Sequence, residues 1–208
     1  DFQATPILVT AGTGAARRAL VIGAGKAGRV IAWDRITRKR VWEAKVGVRR
    51  NADGPLPRKP VEVCPGLLGG VETPMAVAGG RVFVPVVNLC TVESAVSPAP
   101  VAAMDIGKAR GELVALDAAT GRRLWKRDLP QAAFGCATVA GDLVLTSTFD
   151  GRLFGFRAAD GKLVWQARLR AGVNGCPAVA GDTVIWGAGA AAPGMAGVVR
   201  ELVAYRLR

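Results

Sequence analysis

The stretch Gly111-Glu-Leu-Val-Ala-Leu-Asp-Ala-Ala-Thr-Gly-Arg-Arg-Leu-Trp125 decides the fold, because its pattern recurs along the chain. A glycine, an apolar run and a tryptophan 14 residues after that glycine are also found at Gly28–Trp42 and at Gly151–Trp165. A fourth copy begins at Arg200, and the sequence ends before the tryptophan of that copy. The second and third copies are 40 residues apart, and self-similarity at this period indicates repeated supersecondary units.

Each cassette follows a second recurring piece that is typical of a tight hairpin. Ala-Gly-Asp separates β-branched runs at 138–146 and 178–186, and Ala-Gly-Gly does so at 76–84. Within the cassette, Asp117–Gly121 and Arg157–Gly161 supply a further hairpin with a glycine at its end. Each unit is therefore predicted to contain four short antiparallel strands. In the third repeat we place them at about 135–140, 143–148, 151–157 and 162–168.

A 40-residue unit of four antiparallel strands is a propeller blade, so the sequence predicts an all-β propeller with about four blades. We place the blades at about 5–46, 72–129, 135–170 and 175–208, with inserted loops at about 50–71, 88–110 and 189–199. The last blade lacks its outer strand, whereas closed propellers leave no such edge. We therefore expect the C-terminal part of a seven- or eight-bladed propeller, whose remaining N-terminal part completes this blade.

Composition excludes several classes of function. The chain has no histidine, which excludes Ser-His-Asp and Cys-His catalysis and His-ligated zinc. The formal net charge is +12, but outside Arg35–Arg40 and Arg49-Arg50 the cations lie singly or in isolated pairs, in turns and on strand positions. This pattern favours a solvated basic surface over a nucleic-acid partner. No apolar run reaches the roughly 18 residues of a transmembrane segment.

The decapeptide Ala19–Gly28 matches the strand and GxGxxG turn of a dinucleotide-binding motif, and Glu43 lies where that motif has its ribose-binding acid. The motif must open a helix, however. The residues that follow, Arg29–Asp34, align instead with Glu112–Asp117, which is a strand in the repeat. We therefore interpret Gly28 as a hairpin glycine and set aside an NAD- or FAD-dependent oxidoreductase.

The cassette at 111–125 resembles the tryptophan-docking repeat of the pyrroloquinoline quinone (PQQ) β-propellers. The match at 28–42 is weaker, because Arg38 stands where the other copies have a turn glycine. In that family the tryptophan packs between neighbouring blades, so the resemblance implies structural docking by Trp42, Trp125 and Trp165. The same repeat builds catalytic dehydrogenases and non-catalytic scaffolds, so it specifies fold more strongly than activity.

Two further stretches resemble the quinoprotein alcohol dehydrogenases. Asp1–Leu8 followed by Ala19–Asp34 is similar to the segment that runs from an Asp-aromatic turn into a strand, a basic residue and a glycine. The resemblance implies that Lys26 contacts the quinone, where a cation stabilises a developing oxyanion. Ala171–Pro177 is similar to the entry of an inner strand, which implies a cofactor contact for Asn174. A solvated hairpin lysine and a structural asparagine are the alternatives.

The resemblance does not assign a catalytic residue or a metal ligand in this chain. Many alcohol dehydrogenases of the family have an adjacent Cys-Cys pair over the quinone, and this sequence has none. The catalytic aspartate and the calcium ligands of the family are expected mostly upstream of Asp1. Only part of an active site would then lie in these residues.

The four cysteines have no metal-binding spacing. Cys136 and Cys176 hold equivalent positions of successive repeats; we expect small buried apolar side chains there, with a bridge between blades as the alternative. Cys64 and Cys90 lie in the two loops inserted in the second blade. The PQQ propellers are generally exported, which implies a Cys64–Cys90 disulfide in this chain.

Two functions from different classes stay open. The first is part of a PQQ-dependent dehydrogenase that oxidises an alcohol or a sugar in the periplasm with the quinone and Ca²⁺. The second is a non-catalytic propeller that binds partner proteins, similar to the outer-membrane protein assembly lipoprotein. Both imply a periplasmic or extracellular protein, without nucleic acid or a transmembrane segment.

Overall fold

The computed structural model describes residues 1–97, 104–192 and 199–206. Parts of the loops predicted at 88–110 and 189–199, and the last two residues of the blade predicted at 175–208, lie outside the described residues. Apart from short 3₁₀ turns at Gly14–Ala16 and Ile106–Lys108, the regular structure of the described residues is all β. These residues form no helix with the length and hydropathy needed to cross a membrane.

Blade 1 is an antiparallel sheet in the order β1-β2-β3-β4. Its strands are β1 (Ile7–Ala11), β2 (Arg18–Gly25), β3 (Arg29–Asp34) and β4 (Arg40–Lys45). Gly25 pairs with Arg29 at the end of the β2–β3 ladder, so Lys26 lies in a tight hairpin. No helix follows the glycines, in agreement with the hairpin interpretation of Gly28.

Blade 2 has the order β10-β9-β7-β6, and a separate ribbon of β5 and β8 is inserted beside it. The blade strands are β6 (Ala76–Ala78), β7 (Arg81–Asn88), β9 (Arg110–Asp117) and β10 (Arg123–Leu129). The ribbon strands are β5 (Val61–Val63) and β8 (Thr91–Glu93). The ribbon comes from the two loops that interrupt the repeat in this blade.

Blade 3 is a four-stranded sheet and blade 4 has three strands among the described residues. Blade 3 contains β11 (Thr138–Ala140), β12 (Leu143–Ser147), β13 (Arg152–Arg157) and β14 (Leu163–Arg168). Blade 4 contains β15 (Ala178–Ala180), β16 (Thr183–Ala188) and β17 (Glu201–Arg206). Four successive antiparallel sheets, each with its first strand at one edge, confirm the all-β propeller prediction.

The core lies between blades, because the middle strands are buried on both faces. In β7, Val82 and Val84 pack against blade 1, whereas Phe83 between them packs against blade 3. In β12, Val144 faces blade 2 and Leu145 faces blade 4. Alternate side chains of one strand thus enter different cores. This explains why the middle strands read as continuous apolar runs rather than as alternating ones.

Two of the repeat tryptophans dock on the next blade in the same way. The indole Nε1 of Trp42 donates to the carbonyl oxygen of Ala118 at 3.1 Å, and that of Trp125 donates to Ala158 at 3.1 Å. Their rings lie directly over Gly121 and Gly161, where a Cβ would be 2.6 Å and 2.7 Å from the indole. Within the described residues Trp165 packs differently, against the rings of Trp186 and Tyr205.

Candidate functional site

Strand alternation sorts the loops onto two faces of the propeller. In each blade the hairpins after the first and third strands lie at one edge, which we call the hairpin face. The turn after the second strand and the link to the next blade lie at the opposite edge, which we call the linker face. The β2–β3 hairpin and the links at 46–75, 130–137 and 169–177 place Lys26, Asn174, Cys64, Cys136 and Cys176 on the linker face, and Cys90 lies there too because it follows β7, the second strand of blade 2.

Lys26 is held in a hairpin that is packed on both sides. The backbone amide of Lys26 donates to the carbonyl oxygen of Asp1 at 3.1 Å. On the other side Gly70 approaches so closely that a Cβ would lie 2.3 Å from the Lys26 carbonyl oxygen. The Lys26 ammonium lies 3.8 Å from the Asp1 carboxylate, with a quarter of the side chain exposed. A fixed backbone thus presents a cation that solvent can reach.

Glu72 lies close to Lys26 and has a carboxylate oxygen that accepts no hydrogen bond from the described part of the chain. Its Oε2 accepts a hydrogen bond from the Gln3 amide, whereas its Oε1 is buried without a hydrogen-bond partner among the described residues. Burial raises the pKa of the Glu72 carboxyl, and the charge of Lys26 opposes this shift. We call Asp1, Gln3, Lys26 and Glu72 the Lys26 cluster.

Glu72 and Asn174 hold equivalent places in their blades. Each lies four residues before an inner strand, Glu72 before Ala76 of β6 and Asn174 before Ala178 of β15. Asn174 is exposed, and no side-chain hydrogen bond holds it in the described part of the chain. The structure therefore does not join Asn174 to the Lys26 cluster by a direct contact.

The segments that precede the first strands of blades 2, 3 and 4 are nevertheless linked to one another along the linker face. Thr73 Oγ1 donates to the carbonyl oxygen of Gly135 at 3.3 Å, and the Ala137 amide donates to Pro74 at 3.1 Å. The next link is covalent, because Cys136 forms a disulfide with Cys176 across a Cα separation of 4.7 Å. Residues of three blades are thereby fixed relative to one another.

The disulfide between Cys136 and Cys176 replaces our expectation of two small buried apolar side chains. Cys136 is buried but Cys176 is exposed, and the alternative of a bridge between blades is the one found. The two cysteines hold equivalent positions of adjacent blades, each shortly before the first strand of its blade. This brings two cysteines 40 residues apart in sequence within bonding distance.

The other two cysteines, Cys64 and Cys90, are also joined in a disulfide, with a Cα separation of 4.5 Å. The bond joins the end of β5 to the start of β8, so it closes the β5–β8 ribbon beside the Lys26 hairpin. The Glu62 carboxylate lies near both sulfurs, but neither sulfur is a thiolate available to a metal. Among the described residues, Cys64 and Cys90 therefore form a structural disulfide rather than part of a metal site.

From the sequence, Asp1 was singled out only as the start of the Asp1–Leu8 segment, without a role, and Glu72 was not singled out. The offset of four residues before Ala-Val-Ala, which is shared by Glu72 and Asn174, was available as a signal for Glu72. The contact between Asp1 and Lys26 had no such signal, since it depends on how the chain crosses the β2–β3 hairpin. Only the folded backbone brings these two charges together.

Comparison with known proteins supports the propeller repeats. A family model described as outer membrane protein assembly factor BamB matches residues 109–199. No curated protein sequence matches the chain significantly. PQQ-like propeller repeats are thus confirmed for residues 109–199.

Solved structures of three dehydrogenases have the same fold. Quinohemoprotein alcohol dehydrogenase ADHIIG from Pseudomonas putida HK5 matches 98% of this chain with a TM-score of 0.76 and 18% identity. A europium-containing methanol dehydrogenase matches 90% with a TM-score of 0.72 and 21% identity. The quinohemoprotein alcohol dehydrogenase from Comamonas testosteroni matches 90% with a TM-score of 0.66 and 21% identity. The matched parts are 38%, 39% and 34% of those chains, so this chain spans little more than a third of their length.

Proposed function

We propose that this chain of PQQ-like repeats is part of a PQQ-dependent dehydrogenase that oxidises an alcohol or a sugar in the periplasm. The observation that carries the proposal is Lys26, a cation on a packed hairpin of the linker face beside a carboxylate. The fold shared with two quinohemoprotein alcohol dehydrogenases and a methanol dehydrogenase supports it. Two disulfides also suit an oxidising compartment.

The donor set of the Lys26 cluster fits an anionic quinone. PQQ carries carboxylates and an ortho-quinone, so it needs hydrogen-bond donors and positive charge, which the Lys26 ammonium supplies. When bound, the quinone accepts the two electrons that an alcohol loses on oxidation. Lys26 would bind the quinone and stabilise negative charge on its oxygen.

The carboxylates of the cluster have separate tasks in this proposal. Asp1 is exposed and paired with Lys26, so it would orient the ammonium and accept the proton of a substrate hydroxyl. Glu72 offers a buried oxygen without a donor, which suits a hard cation such as Ca²⁺. Calcium takes about six to eight oxygen ligands, so these side chains would supply only part of its coordination shell.

A non-catalytic scaffold is the second candidate. The family model that matches residues 109–199 describes an outer-membrane assembly factor, and those residues cover blade 3 but not the Lys26 cluster. In this alternative the linker face would bind a partner protein, and Lys26 would be a solvated hairpin lysine.

The test is quinone binding by the protein, followed by activity. PQQ is added with and without Ca²⁺, bound quinone is measured by quenching of tryptophan fluorescence, and dye reduction is followed with a panel of alcohols and sugars. One charge-assisted hydrogen bond contributes about 1.5–3 kcal/mol. We therefore expect Lys26→Gln to weaken quinone binding by at least about tenfold, and Lys26→Arg to retain most of it.

Lys59→Gln is the matched control, because it also removes one lysine charge, and Lys59 is exposed and lies outside the Lys26 cluster. It should bind quinone like the unaltered protein. Absence of quinone binding by the unaltered full-length protein, with the remaining part of the propeller present, would exclude the dehydrogenase and favour the scaffold. Equal binding by the Lys26→Gln and Lys59→Gln variants would remove Lys26 from the site.

A further inference from the structure

The hairpin face of blade 1 carries a dense group of exposed cations. The β3–β4 hairpin contains Arg35, Arg38, Lys39 and Arg40, all of them exposed. Arg40 pairs with Glu43 at 2.7 Å. No carboxylate of the described residues lies within ion-pair distance of the other three, so their charge is available to an external partner.

The same hairpin projects an apolar side chain from its tip. Ile36 is 75% exposed, whereas the equivalent tip positions in blades 2 and 3 are Ala119 and Ala159. The turn beneath it is rigid, because the Asp34 carboxylate accepts hydrogen bonds from the amides of Ile36 at 2.9 Å and Thr37 at 2.7 Å. A large apolar side chain is thus held in water among cations.

Arg38 adopts a backbone conformation that favours glycine. Its φ is 61°, and the equivalent Gly121 and Gly161 have φ of 72°. A non-glycine residue in this left-handed region costs about 1–2 kcal/mol. The first repeat bears that cost at a position where its arginine adds to the basic hairpin, and strained residues of this kind concentrate at functional sites.

Neighbouring hairpins extend the basic surface. Arg17 and Arg18 are exposed on the β1–β2 hairpin, and Arg122 and Arg123 on the β9–β10 hairpin. These hairpins lie side by side, since residues 12–13 and 119–120 line one groove. In the described chain only Arg18 of these four has a carboxylate within 4.0 Å, namely Asp34 at 3.7 Å.

We propose that this surface, the hairpin face of blades 1 and 2, binds an anionic phospholipid bilayer, with Ile36 entering the headgroup region. Each lysine or arginine near an anionic membrane surface strengthens binding by about fivefold. An apolar side chain that projects beyond a ring of cations reaches below the headgroups while the cations stay at the phosphates.

The exposed isoleucine is the observation that favours a bilayer over an acidic protein. An acidic protein would be attracted by the cations but gives no reason to project a large apolar side chain on a short rigid turn. The surface lies opposite the Lys26 cluster, so membrane binding would leave the linker face open to solvent.

The test is sedimentation of the protein with vesicles of phosphatidylcholine alone and of phosphatidylcholine with 30% phosphatidylglycerol. We expect binding to the anionic vesicles alone, with loss at high salt because the charges are screened. Arg38→Gly with Lys39→Gln should weaken binding by about 25-fold, from two cations at about fivefold each. Ile36→Asp should weaken it by at least about tenfold.

Arg58→Gln with Lys59→Gln is the matched control, since it removes the same two charges from the opposite face. It should bind vesicles within about twofold of the unaltered protein, a twofold difference being well under one cation's fivefold effect. Arg38→Gly also removes left-handed strain, so its melting temperature should not fall, and weaker binding by this variant cannot be attributed to unfolding.

Equal binding to neutral and anionic vesicles would overturn the proposal, as would equal losses in the two double variants. Binding that depends on charge but is unchanged in Ile36→Asp would also overturn it, and would indicate attraction to acidic groups in general.

Discussion

Trp42 couples blade 1 to blade 2 through a hydrogen bond and a stacked ring. Its Nε1 binds the Ala118 carbonyl, and its indole covers Gly121, where no room is left for a side chain. Trp125 repeats this geometry on Ala158 and Gly161. The glycine of the turn is thus required twice, for its positive φ and for the space that the indole fills.

Gly121→Ala is expected to destabilise the protein more than an alanine at a comparable open turn. The new Cβ would lie 2.6 Å from the Trp42 ring, and overpacking costs about 1–3 kcal/mol in addition to the left-handed backbone cost. Gly141→Ala is the control, because Gly141 has φ of 61° with open space around it. Urea unfolding should place Gly141→Ala about 1–2 kcal/mol below the unaltered protein, and Gly121→Ala clearly lower. Equal losses would show that the indole yields to the methyl group.

Glu72 gives the Lys26 cluster a pH dependence. Its folded-state pKa is raised above its ordinary value of 4.5, mainly by burial, so the folded protein binds this proton more tightly than the unfolded chain does. Ionisation of the Glu72 carboxyl therefore destabilises the fold as the pH rises above that ordinary value. Glu72→Gln removes it and keeps the shape, so its melting temperature should exceed that of the unaltered protein at pH 8. At pH 3.5, where the carboxyl is protonated in both states, the difference should vanish. A lower melting temperature for Glu72→Gln at pH 8 would instead show that attraction to Lys26 dominates.

At the scale of strands and hairpins, most of the fold could be predicted from local patterns. The hairpin signals Ala-Gly-Asp and Ala-Gly-Gly mark real turns, and β13 at Arg152–Arg157 lies where the cassette at 151–157 placed it. The apparent dinucleotide-binding glycines lie at the end of β2 and in the β2–β3 hairpin, where the repeat pattern predicts a turn between neighbouring strands. Strand pairing between sequence neighbours follows from turn chemistry, which the sequence displays directly.

Contacts between blades could not be predicted in the same way. The pairing of Cys136 with Cys176 and the approach of Asp1 to Lys26 depend on the angle and distance between sheets, which no local pattern encodes. Arg38 could be predicted only in part. The sequence shows an arginine where the other repeats have a turn glycine, but its exposed position on a basic face follows only from the sheet topology.

At the scale of the whole molecule, each blade is stabilised chiefly by its neighbours. The three main cores lie between successive blades, and single repeats of this kind cannot bury their apolar faces alone. The Cys136–Cys176 disulfide reinforces the interface of blades 3 and 4, where blade 4 has three described strands. Covalent linkage at this interface limits opening of that blade.

Cys136→Ser with Cys176→Ser should therefore loosen blade 4 from blade 3. A disulfide that closes a loop of 40 residues stabilises the fold by about 4 kcal/mol in the chain-entropy treatment. Trp165 and Trp186 stack at this interface, so their fluorescence reports its opening during urea unfolding. Cys64→Ser with Cys90→Ser is the control, because that disulfide lies in the ribbon beside blade 2 and is remote from the blade 3–4 core. The first variant should shift the tryptophan transition to lower urea, and the control should shift it less. Equal shifts would mean that the propeller unfolds as one cooperative unit, in which the position of a covalent link has no effect beyond the length of the loop that it closes.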